Sequence, residues 1–310
     1  MTAKSDIVSI GEALIEFLEI PQMQDNRPLY SQGFGGDTSN AMIAAARQGA
    51  STGYISAVGG DPFGDLLIEL WQREGVSSSD VIKRPHDPTG VYFVQPHPSG
   101  RSFSYARRGS AASLYGPDDL PATTIASAGV LHVSALSQAI STTMREAITE
   151  AAGIARKNGT LVSYDTNLRL NLWSLELARE TIEAFLPLAD IVFPSDDEAI
   201  QLTGLSDPDA IADHYLGYGA KIVVLKRGGE GALLATPDMR QLIKSHKVEA
   251  IDSTGAGDSY AGSFLAYFLE TGDPVVAARR AAIVAAGTVS GYGAIDPVPY
   301  RDAVLAVEED

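Results

Sequence analysis

The run Asp252-Ser253-Thr254-Gly255-Ala256-Gly257-Asp258 places two chemical abilities side by side. Its glycines let the backbone turn tightly just before a stretch of helical character. N–H groups with no intrahelical partner and the positive end of the helix dipole therefore converge at one point. An anion can sit there without a lysine. Asp258 falls in the first helical turn beside that anion, where a carboxylate can accept a proton from an attacking hydroxyl. A plain helix cap competes with this reading, because Asp is favourable near a helix start in any case. The complete run tips the balance toward chemistry for Gly255, Ala256, Gly257 and Asp258.

Such a turn needs a scaffold that brings distant polar residues to it. Short apolar runs at 7–10, 54–58, 130–133, 161–164, 191–193 and 222–225 have the character of buried strands. Between them lie stretches of helical character, including 39–48, 63–74, 142–157 and 175–186, and the last third is helical at 256–270 and 274–289. Strand alternating with helix predicts an α/β fold, a doubly wound and mostly parallel sheet flanked by helices. Ligands of such sheets collect at the carboxyl ends of the strands. Two regions break the alternation, 13–32 and 81–107. Their β-branched and aromatic residues, punctuated by Pro and Gly, suggest short antiparallel strands. Together they predict a small β lid on a single domain spanning 1–310, able to exclude water from a transfer reaction.

Composition narrows the partners. With 23 basic against 39 acidic side chains the formal charge is −16, which argues against nucleic acid and anionic membranes. Against that background the arginines at 101, 107 and 108 stand out. No cysteine is present, so disulfides, thiolate nucleophiles and cysteine-held metals are excluded. The start shows no signal pattern and no apolar stretch is long enough for a membrane span, so a cytoplasmic location is expected. The five histidines show neither metal-ligand spacing nor a nucleophile's partner pattern, and no role is assigned to them.

The run 252–258 resembles the C-terminal signature of the ribokinase-like (PfkB) carbohydrate kinases. Gly35-Gly36-Asp37-Thr38-Ser39-Asn40, followed by Val58-Gly59-Gly60-Asp61-Pro62-Phe63-Gly64, resembles that family's N-terminal signature. The resemblance covers nearly the whole chain and implies phosphoryl transfer from ATP to a sugar hydroxyl, with Mg2+. It places Gly35, Gly36, Asp37 and Asn40 against the sugar, although an ordinary loop with a cap would look the same. The family's Asp-x-Asn-x-Arg run is matched by Asp165-Thr166-Asn167-Leu168-Arg169, which implies that Asn167 meets the nucleotide and Arg169 the acceptor. Pro194-Ser195-Asp196-Asp197-Glu198 falls where relatives carry Asn-x-x-Glu. Ser195 replaces the Asn on the nucleotide side, and Glu198 carries over toward magnesium, directly or through water. Lys226-Arg227-Gly228-Gly229-Glu230-Gly231 resembles the nucleotide loop, with Lys226, Arg227, Gly228, Gly229 and Gly231 as contacts; a simple hairpin is the rival. Asp252 and Thr254 are implied in a monovalent-cation site for K+, or else brace the turn.

Acceptor recognition is expected from the lid. Tyr92 and the run Phe103-Ser104-Tyr105-Ala106-Arg107-Arg108-Gly109-Ser110-Ala111 offer aromatic faces, hydroxyls and a guanidinium fork. Within the family this is most similar to 2-keto-3-deoxygluconate kinases, in which Tyr105, Arg107 and Arg169 would face a sugar acid. A guanidinium matches a carboxylate bidentately. Fructokinase or another neutral-hexose kinase is the alternative, a nucleoside kinase a more distant one. A non-catalytic sugar- or nucleotide-binding regulator would not need Asp258, and a dinucleotide-dependent oxidoreductase would need a Gly-x-Gly-x-x-Gly run after the first strand, where only Gly11-Glu12 stands. A homodimer formed through the lid is a further expectation.

Overall fold

The computed structural model describes residues 5–24, 27–97 and 100–309. Thirteen strands form two sheets. The large sheet contains β1 (Ile7–Ile10), β4 (Thr52–Gly59), β5 (Val76–Arg84), β8 (Val130–Ser134), β9 (Leu161–Asp165), β10 (Ile191–Phe193), β11 (Ile222–Lys226), β12 (Ala232–Thr236) and β13 (Met239–Ile243). Their order is β13-β12-β11-β10-β9-β8-β1-β4-β5, parallel from β11 to β5, with the β12–β13 hairpin added antiparallel at one edge. Helices cover both faces, which is why the parallel strands read as continuous apolar runs. Successive residues nevertheless go to opposite layers. Ile7 joins a core with Tyr54, Phe264 and Ala281, while Val8 and Ile10 join another with Ile148, Tyr164 and Phe185.

The small sheet holds β2 (Leu14–Gln24), β3 (Arg27–Gly35), β6 (Val91–His97) and β7 (Gly100–Ala106), in the order β3-β2-β6-β7. Its outer pairs are antiparallel, and its central pair β2–β6 is parallel. The expected lid boundary at 81 needs correcting. Val81–Arg84 forms the second half of β5, paired with β4 at the edge of the large sheet, so the small sheet resumes only at Val91. Polar residues on that exposed edge hide its parallel pairing from a sequence pattern.

Two close approaches set up the site. Gly262, in the helix Ala256–Thr271, lies against the helix Asp37–Arg47, where a Cβ would stand 1.9 Å from the Ala41 carbonyl oxygen. Glycine lets the two helices touch backbone to backbone, one turn from Asp258 and one residue from Asn40. Gly255 takes a left-handed φ of 76° with its Cα side packed on Ala294, so no side chain fits there. No helix among the described residues is long and apolar enough to cross a membrane.

Candidate functional site

Charged and polar side chains converge at the carboxyl ends of β1, β9, β10 and β11 and at the starts of two helices, as an open parallel sheet dictates. Asp258 stands in the first turn of Ala256–Thr271 and accepts a 2.9 Å hydrogen bond from Asn40 Nδ2. Asp37, in the first turn of its own helix, is buried and accepts from Asn167 Nδ2 at 3.0 Å. Lys226 ends β11 and places Nζ 2.6 Å from Asp165 Oδ2. The same ammonium reaches the anion-hole turn, 3.3 Å from where a Gly257 Cβ would stand. Residues 37, 165, 226 and 258, far apart in sequence, thus form one electrostatic unit.

Its charges are unevenly balanced. Burial, and then the like charge of Asp37, push the Asp258 carboxyl up to about 7, although the Asn40 amide and Lys226 pull the other way. Burial works against the Lys226 ammonium, but Asp165 and Glu198 outweigh it and hold the group above its ordinary value. Burial likewise raises Asp37 and Glu198. A carboxyl poised near neutrality beside a permanently charged lysine suits proton acceptance next to a bound anion. Asp37 Oδ1 and Asn40 Oδ1 are buried with no hydrogen-bond partner. Both are acceptors, so the cleft is shaped for a ligand that brings donors such as hydroxyls.

The remaining expected residues divide in an informative way. Arg169 donates to Glu198 at 3.0 Å, and Thr166 reaches the same carboxylate at 3.4 Å. Ser195 opens the helix Asp196–Thr203 and bridges in backbone to Lys226. Arg227 turns toward Asp196, at 3.1 Å, and Glu230. The segment around it is the turn of the β11–β12 hairpin. Gly231 is required by that turn, since its φ is 94° and a Cβ would strike the Ile243 carbonyl, whereas Gly228 and Gly229 border open space. Asp252 Oδ1 accepts from the N–H and hydroxyl of Thr254, and its Oδ2 from the N–H of Gly293. These bonds brace the turn that carries Gly255. No group of three or more His, Asp or Glu side chains able to hold a metal occurs among the described residues.

On the small-sheet side, Tyr92 is buried, with its phenol packed against Gly35 and donating to Glu16 at 2.5 Å. Tyr105 stacks on it at 5.6 Å between centroids and keeps an exposed face. Arg107 forms an ion pair with Glu12, and its guanidinium lies over the Tyr105 ring at 5.7 Å. Gly36 begins the helix Asp37–Arg47 with a φ of 125°. The side chain of Arg101 lies outside the described residues, and Arg108 is exposed. Sequence reasoning gave no role to Asp165, Glu12 or Glu16. Asp165 opens a run that was otherwise assigned, while the two glutamates answer to residues on other strands. A separate cavity of about 370 Å³, lined by Asp6, Gln48, Glu270 and Arg301 among others, involves none of these groups.

A carboxyl beside a glycine turn and a buried lysine, at the strand ends of this sheet, can accept a proton from a hydroxyl next to a bound anion. Residues 4–301 match the pfkB family of carbohydrate kinases, and the chain belongs to that family. It is 34% identical over 298 residues to a 2-dehydro-3-deoxygluconokinase of Thermoproteus tenax, covering 93% of this chain and 89% of that protein. It is also 33% identical over 267 residues to Fructokinase-2 of Zea mays, covering 84% and 78%. Among solved structures, an E. coli protein provisionally named Ribokinase II, in complex with ATP and Mg2+, superposes with a TM-score of 0.90 at 27% identity, covering 98% of this chain and 99% of that one. The chain is a sugar kinase.

Proposed function

We infer that the chain transfers the terminal phosphoryl group of ATP to a hydroxyl of a sugar acid, with 2-keto-3-deoxygluconate becoming its 6-phosphate. The observation that carries the reaction is the Asp258 carboxyl, raised to about 7 and hydrogen-bonded to Asn40 at the start of a helix. The acceptor oxygen attacks the terminal phosphorus, the bond from that phosphorus to the bridging oxygen breaks and ADP leaves. The hydroxyl proton passes to Asp258. N–H groups at the helix start and the Lys226 ammonium offset the charge that develops on the transferred group. Asp37 and Asn40, each with an unpartnered buried oxygen, hold acceptor hydroxyls.

The residues present fit a magnesium–nucleotide complex. Glu198 is a buried carboxylate whose partners, Arg169 and Thr166, are a cation and a hydroxyl that a hydrated metal can replace. Bound there, Mg2+ would neutralise phosphate charge.

The sugar-acid reading draws support from Tyr105, Arg107 and Arg169. They lie close enough that both guanidiniums act on the Tyr105 phenol, so an anionic acceptor would meet two cations. The observation favouring a neutral hexose such as fructose is that each arginine already has a carboxylate partner, Glu12 or Glu198. ADP release measured over a panel of sugar acids, hexoses and nucleosides decides between them. The highest kcat/KM with 2-keto-3-deoxygluconate is expected; a higher value with fructose would move the chain to the fructokinase reading and leave Asp258 in place.

A further inference from the structure

The chain passes between the two sheets at four places: before β2, after β3, before β6 and after β7. Glu12 touches all of them. It lies at the first crossing, between β1 and β2, and is fully buried. At the second, a Cβ on Gly36 would stand 2.6 Å from the Glu12 carbonyl oxygen. At the third, a Cβ on Gly90 would stand 2.9 Å from Glu12 Oε1, so glycine there leaves the room that the carboxylate fills. At the fourth, Ser110 donates its hydroxyl to Oε1 at 2.7 Å, and Arg107 pairs with Oε2.

A buried carboxylate is costly unless paired, and burial does raise this one, with Arg107 as the largest opposing influence. A chain that needed only a hinge could use apolar packing here. The arrangement instead spends a buried charge on holding one particular guanidinium, the one expected to meet the acceptor. Arg107 Nε and Nη2 and Glu12 Oε2 are buried without a well-aligned hydrogen bond among the described residues, so Glu12 holds the guanidinium as an ion pair and leaves it donors for a ligand.

We propose that Glu12 is a positioning residue for the acceptor: its carboxylate fixes Arg107 and Ser110 where the chain returns from the small sheet, and so sets where the Arg107 charge stands over the cleft. The inference rests on the sugar-kinase reading for its kinetic consequence but not for its structural one. Glu12→Gln keeps the shape and removes the charge that faces the guanidinium.

The test compares Glu12→Gln in the wild-type and Arg107→Met backgrounds, using 2-keto-3-deoxygluconate, or fructose if the wild-type chain turns that over better. In the wild-type background the acceptor KM is expected to rise about 10-fold while the KM for ATP stays within about two-fold. In the Arg107→Met background Glu12→Gln should add almost nothing. A global loss of packing would instead move both KM values and persist in both backgrounds, and that result, or an unchanged acceptor KM, overturns the proposal. Amide hydrogen exchange of β2 and β6 requires no acceptor. It should quicken in Glu12→Gln with the same dependence on Arg107. If the wild-type chain releases ADP with neither sugar, the proposed function fails, and the exchange result alone then decides on Glu12, with unchanged exchange counting against it.

Discussion

The two ends of the cleft solve the problem of buried charge differently. At the transfer end, Asp37, Asp165, Lys226 and Asp258 come from strand ends and helix starts of the large sheet, and Lys226 feels Asp165, Glu198 and Asp258 together. Burial first, and then the like charge of Asp37, leave Asp258 with a proton affinity near neutrality. On the small-sheet side Arg107 is paired with Glu12, whereas Arg169 pairs with a Glu198 that also acts on Lys226. A buried carboxyl beside a like charge is held near neutrality, whereas a paired guanidinium keeps a charge that a ligand must share.

The largest effect expected from disturbing this contrast is at the transfer end. Asp258→Asn should lower kcat by ~10²–10⁴-fold with both KM values little changed, the usual range for a positioned general base; steady-state ADP release checks it. The same variant separates the base from a cap. The Asp258 carboxyl, ordinarily near 3.8, is raised to about 7 in the folded chain. Its contribution to stability is therefore full at low pH and lost as pH rises through that window. Removing the charge should raise the Tm at pH 8, whereas a helix cap predicts a lower Tm.

The next effect is at the acceptor end. A hydrogen bond to a charged group contributes ~1.5–3 kcal/mol, so Arg107→Ala should lower kcat/KM for 2-keto-3-deoxygluconate by roughly 10- to 150-fold. The loss for fructose should be much smaller. Equal losses for both sugars would show that Arg107 only supports the fold of the small sheet.

The smallest effect falls between the two ends. Glu198→Gln should raise the magnesium concentration needed for half-maximal rate more than it raises the acceptor KM. A magnesium titration at fixed ATP measures this, and an unchanged titration would remove Glu198 from the metal's surroundings.

The contrast also explains what could be read without coordinates. Part of the transfer end stands out in the sequence because its residues close apolar runs or open helices: Asp258 after a glycine turn, Asp37 before a helix and Lys226 after the run 222–225, while Asp165 does not, and the grouping of the four comes only from the fold. The parallel core was legible for the same reason. The acceptor end is decided by pairings across long sequence distances, Tyr92 with Glu16 and Ser110 with Glu12, that no local pattern records. Tyr92 illustrates the consequence. As an aromatic next to polar residues it looks like an open contact, but its phenol is buried on Gly35. Val81–Arg84, the second half of β5, reads as part of the small sheet because its edge residues are polar. The segment after Lys226, expected as a nucleotide loop with a hairpin as the rival, is in form the β11–β12 hairpin, and the strand before it places Lys226 against Asp165.

The central claim is that Asp258 takes the acceptor's proton, and the pH dependence of kcat/KM, which reports groups of the free enzyme, tests it most directly. A base must be unprotonated to work, so the wild-type rate should fall as pH drops through about 7, with a slope approaching one proton. Asp37→Asn removes the like charge that helps raise Asp258 and should move that limb to lower pH. In Asp258→Asn the residual rate should show no such limb. An acid limb that persists unchanged in Asp258→Asn would place the base elsewhere and contradict the account.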